Sequence, residues 1–257
     1  MNKNKKKYTA LLLEGKCGLI FATDGETPRE VDFLVNSLGI GLVVLMVRVG
    51  AEIFNKYGRE VTGVLTNKGY KVFLDLRLRE TPSEIGPAIE RLENTHLRFL
   101  SIDMSGGEDM LLAACKAREG TQIKLFGVTP LIGINSEATS LSPAAEKHTI
   151  ELGEQAVRCG LEGLLCSPLE LPVLRKKLGP EPILIVLGIY PRWADKRDFE
   201  PVLTPTQAIK AGASYIVVDR PITHAVVDYN LERHRALSLV EEEMGRSLLT
   251  NIYEDVP

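Results

Sequence analysis

The stretch Val72-Phe73-Leu74-Asp75-Leu76-Arg77-Leu78-Arg79-Glu80-Thr81-Pro82 decides how this chain is read. An apolar run, the mark of a buried strand, carries Asp75, Arg77 and Arg79 at a spacing of two near its end. Side chains two apart on a strand share a face, so three ionised groups line up at one end of an apolar element. Unpaired buried charge is too costly to keep. The row must pair with other charges, reach water, or grip something charged. Directly behind it, Thr81-Pro82 is a helix start, a threonine cap before a proline at the first helical position. A buried strand with a charged end that runs straight into a helix is one unit of an alternating α/β chain.

The same unit recurs in both directions. Strand-like runs over residues 18–23, 42–49, 71–79, 97–104, 124–131, 163–166, 183–189 and 215–218 alternate with helical patterns. The helices are expected over 27–38, 52–67, 81–93, 108–118, 144–159, 169–178 and 206–211, with a long C-terminal helix reaching about 249. The strands are near-continuous Val/Ile/Leu runs, as a parallel sheet covered on both faces requires. Eight such units in 257 residues predict an α/β fold, a single (β/α)8 TIM barrel. A doubly wound open sheet is the alternative. It would favour a glycine-rich first turn, which Ala22-Thr23-Asp24-Gly25 is not.

Composition narrows the function classes. Hydrophobic content of 44%, charged content of 25% and a net charge of -3 describe an ordinary folded chain with no global pull toward nucleic acid or anionic membrane. The one basic block, within residues 1–10, reads as a flexible N-terminal tail, which leaves 11–257 as the barrel domain. No apolar segment is long enough to span a bilayer. Cys17, Cys115, Cys159 and Cys166 include no CxxC pair and read as reduced thiols in the cytoplasm. His96, His148, His224 and His234 show no metal-ligand spacing, so no metal site is expected.

In a barrel of this kind, function sits at the C-terminal ends of the strands. Those ends carry Asp24, Arg48, Asp75, Arg77, Glu80, Asp103, Ser105, Thr129, Ser167, Gly188, Asp219 and Arg220. A mouth with both signs of charge suits a polar, anionic small molecule. Here the sequence resembles the orotidine 5'-monophosphate decarboxylase family. Ala22-Thr23-Asp24 is similar to the family's Ala-Leu-Asp, and Val47-Arg48-Val49-Gly50 to its Val-Lys-Val-Gly. Asp75-Leu76-Arg77-Leu78-Arg79-Glu80-Thr81-Pro82 resembles its signature Asp-x-Lys-x-x-Asp-Ile-Pro. The stretches 160–167 and 204–222 resemble its sixth-strand and phosphate-loop regions.

The resemblance implies a homodimer without cofactor, acting on a phosphorylated, nucleotide-like carboxylate. It implies catalytic roles for Arg48, Asp75, Arg77 and Glu80, with Glu80 completing the partner's site. It implies ligand contacts for Asp24 (a sugar hydroxyl), Gly188, Asp219 and Arg220 (the phosphate). The departures matter as much. Both family lysines are arginine here, Arg48 and Arg77, and the second aspartate is Glu80. An arginine side chain holds its proton 2–3 pH units more tightly than lysine, so proton delivery from it costs roughly 3–5 kcal/mol more. The family's glycine before the phosphate-binding arginine is Asp219. A carboxylate about 5 Å from a phosphate dianion costs on the order of 5 kcal/mol unless compensated. The ends Leu131-Ile132-Gly133 and Val186-Leu187-Gly188-Ile189 also depart from the family, as do Phe199 and Asp103.

Simpler structural readings stand beside these. The Arg48/Asp75/Arg77/Glu80 set reads equally as an ion-pair network at a rim or dimer interface, Asp24 as a helix cap, and Arg220 as the neutraliser of Asp219. Ser105-Gly106-Gly107 suits an anion or a plain turn, and Trp193 a loop over the mouth or simple packing. Two functions follow: a decarboxylase-like lyase with an altered charge network, or a paralogue that binds an anionic ligand or protein partner or catalyses a different reaction.

Overall fold

A computed structural model describes residues 18–23, 25, 27–38, 44–92, 97–129, 140–195 and 201–254. The expected tail over 1–10 lies outside the described residues, as do Cys17, Asp24, residues 131–133 and Phe199. Eight parallel strands close on themselves in chain order, each paired with its sequence neighbours and the last with the first. They are β1 (Gly18–Ala22), β2 (Val44–Gly50), β3 (Lys71–Leu78), β4 (Leu97–Asp103), β5 (Lys124–Val128), β6 (Gly163–Cys166), β7 (Ile183–Val186) and β8 (Tyr215–Val218). The chain is a single (β/α)8 barrel, and the open sheet is excluded.

Around the barrel lie α1 (Pro28–Ser37), α2 (Ala51–Tyr57), α3 (Arg59–Thr66), α4 (Pro82–Glu90), α5 (Glu108–Ala117), α6 (Pro143–Cys159), α7 (Glu170–Leu178) and α8 (Pro205–Lys210). Three more follow β8: α9 (Arg220–Thr223), α10 (Ala225–Tyr229) and α11 (Arg233–Glu254). Two expected helices are therefore divided. The pattern over 52–67 breaks at Gly58, whose φ of 52° an L side chain adopts only under strain. The single C-terminal helix is three, with Asn230 in the left-handed region between the last two.

Strand parity sorts the apolar residues into two cores. Leu19, Phe21, Val47, Val72, Leu74 and Leu100 face outward and pack against the helices. Ile20, Met46, Phe73, Phe99, Phe126 and Val217 face the lumen with Tyr215 against them. The Phe99 ring centroid is 6.1 Å from that of Phe73, 4.5 Å from Phe126 and 5.4 Å from Tyr215, so aromatic rings plug the lumen. By the same parity the residues two steps on from Met46, Phe73 and Phe99 form the next inward layer toward the mouth. These are Arg48, Asp75 and Ser101. The fold thus sets a polar layer directly on an aromatic floor.

Candidate functional site

Asp75 is the centre of that layer and is only 3% exposed. Arg48 donates to its Oδ2 from both Nε (2.8 Å) and Nη2 (2.6 Å), and Ser101 Oγ donates to its Oδ1 at 2.7 Å. Arg77 Nε lies 3.8 Å from the same Oδ1. Burial of one carboxylate is thus offset by two guanidiniums and a hydroxyl, as a buried charge demands. Two cations against one anion leave a net charge of +1 among the three, at the C-terminal end of the strands. Such a cluster attracts an anion.

The expected row of Asp75, Arg77 and Arg79 on one strand face is corrected by the structure. Leu74 pairs with Leu100 and Leu78 with Ile102, so β3 takes four steps where β4 takes two. The excess is a bulge, and within it Arg77 has a φ of 48°. A non-glycine residue held there costs about 1–3 kcal/mol and persists only where its surroundings enforce it. The bulge turns Arg77 back toward Asp75 and leaves Arg79 exposed beyond the strand. Arg77 is half-exposed, whereas Arg48 is mostly covered. Glu80 is exposed in the link to α4 and, among the described residues, does not join the Asp75 cluster.

Two strands round the barrel from β2, Asp219 follows β8. It accepts a hydrogen bond from the backbone N–H of Arg220 at Oδ1 (2.6 Å) and so caps α9. The Arg220 guanidinium lies 3.5 Å from the largely buried Asp228, so its ion-pair partner is Asp228 rather than the adjacent Asp219. Gly188, at a φ of 73°, sits where an added Cβ would press on Pro168 and the Pro201 carbonyl, so only glycine fits this turn without strain. The structure thus gathers Arg48, Asp75 and Arg77 into one cluster, and places Gly188 and the Asp219–Arg220 pair at other strand ends.

Neighbouring residues resolve into supporting roles. Asp103 accepts from the N–H of Ser105, which makes Ser105-Gly106-Gly107 a capped turn ahead of α5. Trp193 stacks edge-on against Tyr229 at 5.4 Å. Glu170, fully buried, accepts from Thr129 Oγ1 (2.8 Å), Thr149 Oγ1 (3.3 Å) and the Ser167 N–H (2.8 Å), and so ties the ends of β5 and β6 together. Cys166 is enclosed; burial first, and Glu170 second, push its thiol well above the usual range, which makes it a poor nucleophile. Cys115, Cys159 and Cys166 are free thiols. Among the described residues no His/Cys/Asp/Glu group could hold a metal ion, and no helix is long and apolar enough to cross a membrane.

Sequence reasoning missed Ser101 and Glu170. Ser101 is one hydroxyl in an apolar strand and carries no local signal. The spacing Ser167-x-x-Glu170 is that of a capping box and could have revealed the second.

Comparison with known proteins places the fold. The family model described as "Orotidine 5'-phosphate decarboxylase / HUMPS family" matches residues 18–229. The orotidine 5'-phosphate decarboxylase of Saccharophagus degradans is 34% identical over 236 residues, covering 90% of this chain and 96% of that protein. That of Heliobacterium modesticaldum is 32% identical over 250 residues, covering 92% of this chain and 99% of the relative. The crystal structure of orotidine 5'-phosphate decarboxylase from Lactobacillus acidophilus superposes with a TM-score of 0.71 at 26% identity, over 89% of this chain and 99% of that one.

Proposed function

This chain belongs to the orotidine 5'-phosphate decarboxylase / HUMPS family, and from that premise we propose that it is a lyase acting on a phosphorylated, nucleotide-like carboxylate. The observation that carries the reading is the Arg48–Asp75–Arg77 cluster at the mouth of the barrel, with its surplus positive charge. In the proposed reaction the bond from a ring carbon to its carboxylate breaks and carbon dioxide leaves. The electron pair stays on the ring carbon, which takes a proton from the Arg77 guanidinium as that N–H bond breaks, and Arg77 regains its proton from water. Asp75, held rigid, sets its charge against the departing carboxylate, while Arg48 and Arg77 attract the anionic ring. Such electrostatic preorganisation needs no cofactor. Asp24 would hold a sugar hydroxyl, Gly188 would leave room for the ligand, and Asp219–Arg220 would face its phosphate. Glu80 would complete the site of a second copy in a homodimer, within the cytoplasm.

Proton delivery separates this chain from the standard reaction. An arginine at both cation positions binds anions well and gives up protons poorly. A second reading follows from that and from the Arg220 N–H, whose bond to Asp219 occupies a donor that an anion would use. In it the chain is a paralogue that binds an anionic ligand, or a protein, without decarboxylating it.

Loss of orotidine 5'-monophosphate absorbance with purified protein, beside an Arg77→Lys variant, tests both readings. Turnover by wild type supports the lyase. Turnover by the lysine variant alone supports a diverged site that still binds the ligand. If neither turns over and a nucleotide monophosphate leaves the melting temperature unchanged, the nucleotide reading fails.

A further inference from the structure

Resting on the reading that Arg48, Asp75 and Arg77 bind the ligand, we propose that Ser101 is the positioning residue of that site. Its hydroxyl sets the conformation of Arg77 and the orientation of Asp75 together. Ser101 is fully buried on β4, and its single oxygen makes two bonds to β3. It accepts from the Arg77 backbone N–H at 2.8 Å and donates to Asp75 Oδ1 at 2.7 Å. A serine hydroxyl has one proton and two lone pairs, and a carboxylate only accepts. The proton must therefore go to Asp75, which leaves a lone pair for Arg77. The chain from Arg77 N–H through Ser101 to Asp75 runs in one direction, and each bond polarises the next.

The bulge explains why such a device is needed. β3 carries its surplus residues between the positions paired to Leu100 and Ile102, and Ser101 lies between those two on β4. Glycine would occupy a φ of 48° without strain. That an arginine stands there means the guanidinium is wanted at that point, and Ser101 supplies the backbone bond that holds it. Without the hydroxyl the Arg77 N–H loses this acceptor, and Asp75 Oδ1 keeps only the 3.8 Å approach of Arg77 Nε.

The test compares wild type, Ser101→Ala and Ser101→Thr by crystal structure and by turnover of orotidine 5'-monophosphate. The alanine variant is expected to relax Arg77 to negative φ, withdraw its guanidinium from Asp75 and lower kcat by about 100-fold, the loss that a misplacement of about 1 Å produces. The KM should change far less. Threonine, which keeps the hydroxyl, should restore the Arg77 geometry and most of kcat. The proposal is overturned if Arg77 keeps its positive φ and its distance to Asp75 in the alanine variant. It is overturned equally if alanine and threonine lower kcat alike. Absence of turnover in the wild type would refute the lyase reading alone, because the three crystal structures decide the role of Ser101 without it.

Discussion

Glu170 offers the sharpest test of the packing logic at the barrel mouth. It is fully buried, and no cation pairs with it among the described residues. What its surroundings require is acceptor atoms. Thr129 Oγ1 and the Ser167 N–H converge on Oε2, and Thr149 Oγ1 approaches Oε1. Glu170→Gln can place its amide oxygen at the Oε2 position and keep both short bonds. Its amide nitrogen then faces the Thr149 hydroxyl, which rotates to accept. Glutamine should therefore cost no more than about 1 kcal/mol. Glu170→Ala strands three donors, each worth about 1–3 kcal/mol when unsatisfied, and opens a cavity that water only partly fills. A net loss of about 4 kcal/mol is expected, since some of these groups rehydrate. At roughly 2–4 °C per kcal/mol for a domain of this size, alanine should melt about 8–16 °C below wild type. Glutamine should stay within about 4 °C. Thermal unfolding followed by circular dichroism reads both. If glutamine falls as far as alanine, the negative charge itself is what the site needs and the acceptor argument is wrong.

Three further outcomes follow from the geometry. Asp75→Ala leaves two guanidiniums facing a void; because the Arg48 side chain keeps 20% exposure and regains water, the loss should sit near the low end for a broken buried pair, about 3 kcal/mol, and a melting shift under about 2 °C would contradict it. Gly163→Ala would set a methyl against the Ile183 carbonyl oxygen across the β6–β7 pair, so its urea midpoint should drop by the equivalent of about 3 kcal/mol, while an unchanged midpoint would show that the two strands sit further apart. Burial pushes the Cys115 thiol up to about 11, with Arg118 opposing and Glu162 and Cys159 assisting. A raised value disfavours the thiolate, so at pH 8 its alkylation, read by peptide mass spectrometry, should run about 100-fold slower than that of an ordinary thiol and rise only as the pH approaches 11.

How far the sequence reveals this molecule depends on how local each feature is. β6 and β8 match their expected bounds because each is a short apolar run between turn residues, with no other way to bury itself. The α2–α3 break was hidden because the apolar periodicity carries straight through Gly58, and only the backbone shows the change of direction. The charged cluster was legible in the charges of β3, but its shape was not. Alternation along a strand presumes an even ladder, and the bulge at Arg77 depends on how β3 registers with β4. Ser101 acts on a carboxylate 26 residues away, and the Arg220–Asp228 pair forms only once two short helices fold back beside β8. Contacts between distant segments carry no mark in either segment alone.

The aromatic floor beneath Arg48, Asp75 and Ser101 has a consequence for traffic. With Phe73, Phe99, Phe126 and Tyr215 filling the lumen, nothing can pass through the barrel from end to end. The site has one door. Whatever enters must leave by the way it came, and a spent molecule still seated there blocks its successor. For a ligand that splits into a small and a large fragment, the large one leaves last, because the doorway is the space it fills. On the proposed lyase reading, product inhibition competitive with substrate would follow from the floor of the barrel as much as from the charges at its rim.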